Sequence, residues 1–300
     1  MQVLKIIVKP QRDRLDQVIS DQIKSLSRSQ AKKLINEGYI TVNDHPTDPS
    51  YQVSKGDTIK IEIPAPAAVE LKAENIPLTI VYEDADLLVV DKPDNLVVHP
   101  TLDHPNGTVV NALLNHLNIK NLETSNLRPG IVHRLDKDTS GLLVVGKNMQ
   151  ATDNLKKQFK EHSVMKKYLA LVGGIVEKET GLVDQKIARH PKFRSKFTVS
   201  PEGREARTEY RVLKRFKNAT LLELTPFTGR THQLRVHLAS IGHPILGDKL
   251  YGGRMLLNRQ FLHASYLSFI HPKKRVKLEF ESPLPADLSA FLEKVEKESK

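Results

Sequence analysis

Residues 128–147 read RPGIVHRLDKDTSGLLVVGK, and the rest of the chain is organised around this stretch. Residues 131–135 alternate in the manner of a strand, residues 137–141 supply turn formers, and residues 142–145 form a short apolar run suited to a buried second strand. Asp136 therefore stands where a strand gives way to a turn, a place where a rigid scaffold can hold a carboxylate at a cleft mouth.

Three familiar patterns nearly fit these residues, and each fails at a position its chemistry needs. Asp136, Asp138, Ser140 and Gly141 match the opening of a calcium-binding loop, but the twelfth position, reserved for a bidentate carboxylate, is Lys147. Gly141, Gly146 and Lys147 have P-loop spacing, yet the magnesium-binding hydroxyl position is Asn148 and the intervening LLVV favours a strand over exposed amides. Asp136 and Asp138 together suggest a magnesium-dependent phosphatase, but His133 and Arg134 are out of place in a buried strand leading to one.

The nine residues HRLDKDTSG, 133–141, resemble the signature of the RluA/RluD-type pseudouridine synthases, and further likeness extends over nearly the whole chain. The resemblance implies that Asp136 is a nucleophile acting on RNA, with no cofactor and no metal. It assigns the cation that keeps Asp136 ionised to Arg230, in GRTHQLRVH. It makes Tyr168, in MKKYLALV, the tyrosine that stacks on the target base, and Arg134 the arginine that enters the RNA stack when the nucleotide is flipped. A phenol with an ordinary pKa near ~10 is a poor base at neutral pH, so stacking is the safer role for Tyr168. On a strand, Arg134 and Asp136 would share a face. In FLHASYLSFIHP, which resembles the family's late motif, Leu267 reads as a pocket wall.

Composition agrees with a polyanionic partner. The 300 residues carry a formal charge of +11, and residues 186–217 hold eleven Lys and Arg against three Glu. With no cysteine, disulfides, thiolate metal sites and thiol catalysis are excluded. His133, His232 and His237 lack the helical two-histidine pattern of a zinc site and read as core or hydrogen-bonded. The opening MQVLKIIVKP is too short an apolar run for a secretory signal, and no later run approaches a membrane span, so a cytoplasmic protein is expected; a monomer is expected as well.

Two domains are expected, 1–70 and 71–300. In the first, Leu15, Val18, Ile19 and Ile23 recur at helical spacing, and a second helix begins at Ser27 with Gln30 completing a capping box and Gly38 ending it. A hairpin follows, and the order resembles the small RNA-binding S-four domain. Arg28, Lys32 and Lys33 lie off the apolar face of the second helix, free to meet phosphate. Pro64 and Pro66, with alanines between, read as a stiff linker. The second domain is read as strands at 80–82, 87–91, 166–172, 206–216, 219–225, 263–269 and 275–280. Helices are expected at 108–117, 149–162, 231–240 and from 285, and residues 121–126 are read as loop. Strands outnumber helices and hairpin joins are common, which predicts an α+β fold with a mixed, largely antiparallel sheet.

Large-subunit ribosomal RNA is the expected substrate, with transfer RNA as the alternative. A ribosome-associated protein without catalysis is a second class. A retaining glycosidase is a third, and it would need a second carboxylate about 5 Å from Asp136.

Overall fold

The computed structural model describes residues 2–7, 13–23, 26–63, 71–101, 104–118, 121–122, 130–254 and 256–299. The expected linker prolines and loop residues 123–126 lie outside these. The chain divides into two compact units, Met1–Val69 and Glu70–Lys300.

The first unit runs β1 (Gln2–Ile7), α1 (Leu15–Gln22), α2 (Arg28–Asn36), β2 (Ile40–Val42), β3 (His45–Pro46) and β4 (Thr58–Ile63), with sheet order β1-β4-β2-β3. Leu15, Ile19, Ala31, Ile35, Ile40, Val53, Ile59 and Ile61 form its core. Each Leu, Ile and Val among them contributes on the order of 1–3 kcal/mol by leaving water. The capping box starts α2 as expected: Ser27 accepts from the Gln30 amide, and the Gln30 side chain accepts from the Ser27 amide. β1 was not anticipated from sequence; it pairs antiparallel along the whole of β4.

The basic residues of α2 are exposed off the apolar face, and each also has a carboxylate partner. Asp16, fully buried in α1, is met by Arg14 Nε at 3.2 Å, Arg28 Nε at 3.2 Å and Lys32 Nζ at 3.5 Å. Lys33 pairs with Glu37 one turn on, at 3.7 Å. A buried carboxylate must be compensated, so it draws the nearest cations to itself. Burial alone would raise the Asp16 pKa, but hydrogen bonds from Arg14 and Arg28 outweigh it and lower the pKa to about 2. Because the folded value is depressed below the ordinary 3.8, the ionised group stabilises this unit above about pH 4 and that contribution is lost as pH falls toward about 2. Asp16→Asn is expected to cost this unit about 2 kcal/mol at neutral pH, seen as faster amide exchange at Ile19 and Ile35, and to cost little near pH 2.

In the second unit the elements are β5 (Leu71–Lys72), β6 (Thr79–Glu83), β7 (Leu87–Lys92), α3 (Val109–His116), β8 (Asn121–Leu122), β9 (Ser140–Gly146), α4 (Met149–Lys160), β10 (Met165–Gly173), β11 (Thr180–Asp184), β12 (Ile187–Arg189), β13 (Phe197–Val199), β14 (Arg207–Arg215), β15 (Ala219–Pro226), α5 (Gln233–Ser240), β16 (Leu262–Ile270), β17 (Lys277–Glu281) and α6 (Ala286–Lys297). Nine strands make one mixed, mostly antiparallel sheet, in the order β11-β14-β15-β10-β16-β9-β7-β6, with β17 pairing the second half of β16. Both faces are covered. Leu88, Val90, Leu143 and Val145 pack on one side with Val109 and Leu113 of α3 and Leu288 of α6, while Leu87, Val89, Leu142 and Val144 pack on the other with Leu155 of α4. This double burial is why LLVV reads as an unbroken apolar run.

β9 lies parallel to β16, with Ser140 opposite His263 and Gly141 opposite Ala264. The approach requires glycine: Gly141 has φ +115°, and a Cβ there would fall 2.3 Å from the Ala264 carbonyl oxygen. The pairing brings the opening stretch against the late FLHASYLSF segment. Leu267 does not line the cleft as expected; it packs in the α4-side core, and Leu262 is the β16 residue at the cleft wall.

Residues 131–135 are not a strand. Ile131 makes one isolated bridge to Val145, and beyond it the amide of Val144 donates to Nε2 of His133 at 3.0 Å. An imidazole has taken the place a backbone carbonyl would fill in a ladder, so the chain leaves β9 and runs extended to Asp136. Among the described residues no helix is long and apolar enough to cross a membrane.

Candidate active site

A cleft of about 540 Å³ opens beside Asp136, and Arg134, Tyr168, Arg230, His232 and Arg235 also line it. Asp136 sits at the end of the extended run. Its carbonyl accepts from the Thr139 amide at 3.1 Å, closing the turn. Two buried cations hold that turn from beneath. Lys92, fully buried, donates to the carbonyls of Pro93 at 2.6 Å, Leu96 at 3.0 Å and Lys137 at 3.0 Å, using all three ammonium protons. Arg259 donates to the Asp138 carbonyl at 3.2 Å and forks onto Asp287 of α6 at 2.7 and 2.9 Å. Lys92→Met would leave the Pro93 and Leu96 carbonyls unanswered, while the Lys137 carbonyl would keep the Leu96 amide at 3.2 Å. The expected cost is about 2–4 kcal/mol in thermal unfolding, with about ten-fold slower turnover of a substrate acted on by Asp136.

Arg235 is the cation on Asp136. Its Nη1 donates to Asp136 Oδ2 at 2.9 Å, while Nε and Nη2 fork onto fully buried Asp248 at 2.7 and 2.9 Å. The Tyr251 ring lies 5.1 Å from the guanidinium carbon. Burial works against the charge, but Asp248 and Asp136 overcome it and raise the Arg235 pKa above the ordinary arginine value. A planar fork serves two carboxylates at once in fixed directions, which a lysine cannot do.

Tyr168 lies on β10 where the pairing with β16 skips a residue, so that Lys167 faces Tyr266 and Tyr168 faces Ala264. Burial, reinforced by the charge of Asp136, pushes its phenol pKa well above the ordinary value. The hydroxyl keeps its proton at neutral pH. His133 stacks on Phe159 with ring centroids 4.5 Å apart, and burial lowers its pKa to about 3. His237 bonds Thr208 and the Gln185 carbonyl in the core. His232 is nearer the chemistry: its Nε2 is 3.9 Å from Asp136 Oδ2, and it holds a left-handed backbone at the start of α5, with φ +57°. Arg134 is exposed on the cleft rim.

Residues 86–240 match the family model for RNA pseudouridylate synthases. The chain belongs to that family. Residues 13–59 match the S4 domain. An RNA pseudouridine synthase of Aquifex aeolicus is 43% identical over 99% of this chain and 98% of that protein. The ribosomal large subunit pseudouridine synthase D of Haemophilus influenzae is 42% identical over 95% of this chain and 92% of its own. Among solved structures, human RNA pseudouridylate synthase domain containing 1 shares 30% identity, with a TM-score of 0.58 over 71% of this chain and 86% of that one.

This pseudouridine synthase is therefore an isomerase that converts uridine to pseudouridine in RNA. In it the structure separates the two arginines of GRTHQLRVH. Arg230, expected beside Asp136, is exposed and donates from Nε to the Glu205 carbonyl at 2.9 Å, while its amide binds the Gln233 side chain. One further helical turn is needed to reach Asp136, and that places Arg235 there. Sequence reasoning missed Arg235 although a signal was present: it is a charged residue within QLRVHL, whose side chains are all buried in α5. A buried guanidinium demands a carboxylate partner, and an arginine amid leucines and valine should have been read that way.

Proposed function

We propose that this pseudouridine synthase modifies large-subunit ribosomal RNA, with Asp136 as the nucleophile and Arg235 as the group that keeps it anionic and aimed. The 2.9 Å contact between Arg235 Nη1 and Asp136 Oδ2 at the cleft carries this reading. A carboxylate oxygen that accepts from a guanidinium fixed by a second carboxylate is held in one direction. The extruded uridine enters the cleft, with Arg134 at the rim positioned to fill the gap left in the RNA stack. Asp136 attacks the nucleotide, the bond from ribose C1′ to uracil N1 breaks, the base turns, and C1′ bonds to C5. The C5 proton departs and N1 gains one, so the isomerisation needs neither oxidant nor cofactor. Tyr168, protonated and buried against the cleft, offers a ring face to the base rather than a proton acceptor. The S4 domain and the ribosomal name of the Haemophilus relative support ribosomal RNA as substrate.

The test is tritium release from unmodified transcripts labelled at C5 of uridine. Wild-type protein is expected to release tritium from large-subunit ribosomal RNA and not from transfer RNA. Release from transfer RNA alone would overturn the substrate, and release from neither would overturn the reaction.

A further inference from the structure

β12 and β13 form a two-stranded hairpin, with Ala188 opposite Thr198. Its loop exposes Lys192, Phe193 and Arg194, and the Lys196 ammonium lies 5.6 Å from the centre of the Phe193 ring. Arg189 braces the loop from within: it donates to the Arg194 carbonyl at 2.8 Å and its guanidinium lies 5.3 Å from the Phe197 ring centre. Cations around an exposed aromatic face suit unpaired RNA, whose bases stack and whose phosphates attract.

The base of this hairpin meets the catalytic cleft at the Tyr251 hydroxyl and at the Phe197 ring, which packs edge-on against His232 with centroids 5.6 Å apart. The Phe197 amide donates to the Tyr251 hydroxyl oxygen at 2.9 Å, and that hydroxyl lies 2.8 Å from Nδ1 of His232. An oxygen that accepts from Phe197 has its own proton to give to Nδ1. Nε2 of the neutral imidazole then carries the ring proton and faces Asp136 at 3.9 Å. Burial favours this arrangement, lowering the His232 pKa and raising that of Tyr251, so the imidazole is neutral and the phenol protonated. The same tyrosine presents its ring face to Arg235, and its amide donates to Asp248 at 3.2 Å.

The geometry points to Tyr251 as a positioning residue that couples RNA seated on the β12–β13 hairpin to the placement of Arg235 and His232 around Asp136. This rests on the RNA reading above. Fixing the hairpin fixes the Phe197 amide, hence the hydroxyl, hence the ring against which the guanidinium lies. Arg235 cannot follow a displaced ring without loosening its fork on Asp248.

Tyr251→Phe keeps the ring and removes both hydroxyl bonds. The readouts are single-turnover tritium release from C5-labelled large-subunit ribosomal RNA transcript at saturating enzyme, and filter-binding affinity for the same RNA. Tyr251→Phe is expected to slow release about ten-fold while affinity stays within about two-fold of wild type. Lys192→Ala/Arg194→Ala is expected to weaken binding and, at saturation, to slow release to a similar degree. Combining it with Tyr251→Phe should then slow release no further, because both act on one element.

Coupling is overturned if the combined variant shows the product of the separate losses, or if Tyr251→Phe turns over at the wild-type rate. It is also overturned if the rate loss of Tyr251→Phe is matched by a loss of affinity. A wild-type protein that releases no tritium removes both the RNA reading and this one, whereas the variant outcomes bear on the coupling alone.

Discussion

Asp136→Asn is expected to release no measurable tritium from a transcript that wild type modifies, a loss of at least about 10⁴-fold. The substitution keeps the shape and leaves an amide oxygen able to accept from Arg235 Nη1. What it removes is the charge, and an amide is no nucleophile. The fold should survive, because Arg235 stays compensated by the fork onto Asp248 at 2.7 and 2.9 Å. Thermal unfolding within about 1 kcal/mol of wild type is the matching expectation, since no buried cation is left unpaired. Equal tritium release from both proteins would remove Asp136 from the chemistry.

Arg235→Lys should reduce single-turnover release about 10²–10³-fold, while Arg230→Lys should stay within about three-fold. A lysine ammonium can meet Asp248 or Asp136 but cannot hold both at the angles of a planar fork, and it has no flat face for Tyr251. Asp248 is fully buried, so part of the loss will appear as destabilisation, on the order of 3 kcal/mol. Single-turnover rates taken beside thermal unfolding separate that loss from the effect on chemistry. Arg230 makes its guanidinium contact to a backbone carbonyl at an exposed position, so its replacement leaves the hydrogen bond from Arg235 to Asp136 in place. A large rate loss in Arg230→Lys with a mild one in Arg235→Lys would reverse the assignment of the cation.

Much of this was legible in the chain because it depends on near neighbours. Ser27 with Gln30, and Thr108 with Asn111, form capping boxes, each closed within three residues. The LLVV run became a strand buried on both faces, and Gly141 took the positive φ that a turn glycine allows. The failures share the opposite property. Residues 131–135 alternate like a strand, yet a histidine side chain took the hydrogen bond that would have extended the ladder. The ion pairs of Arg28 and Lys32 with the buried Asp16, twelve residues from Arg28, were likewise invisible to the local pattern.

The sequence by itself determined that a carboxylate ends an extended run and heads a turn, that a strand buried on both faces follows, and that a small helical unit precedes a mixed sheet. Those features follow from local backbone preference and apolar period. Which arginine faces Asp136 was decided by the tertiary structure, in which Arg235 reaches it across 99 residues of chain. Two arginines five positions apart have the same charge and the same reach. Only the depth of α5 and the buried Asp248 make one of them pay its desolvation with two carboxylates and leave the other in water.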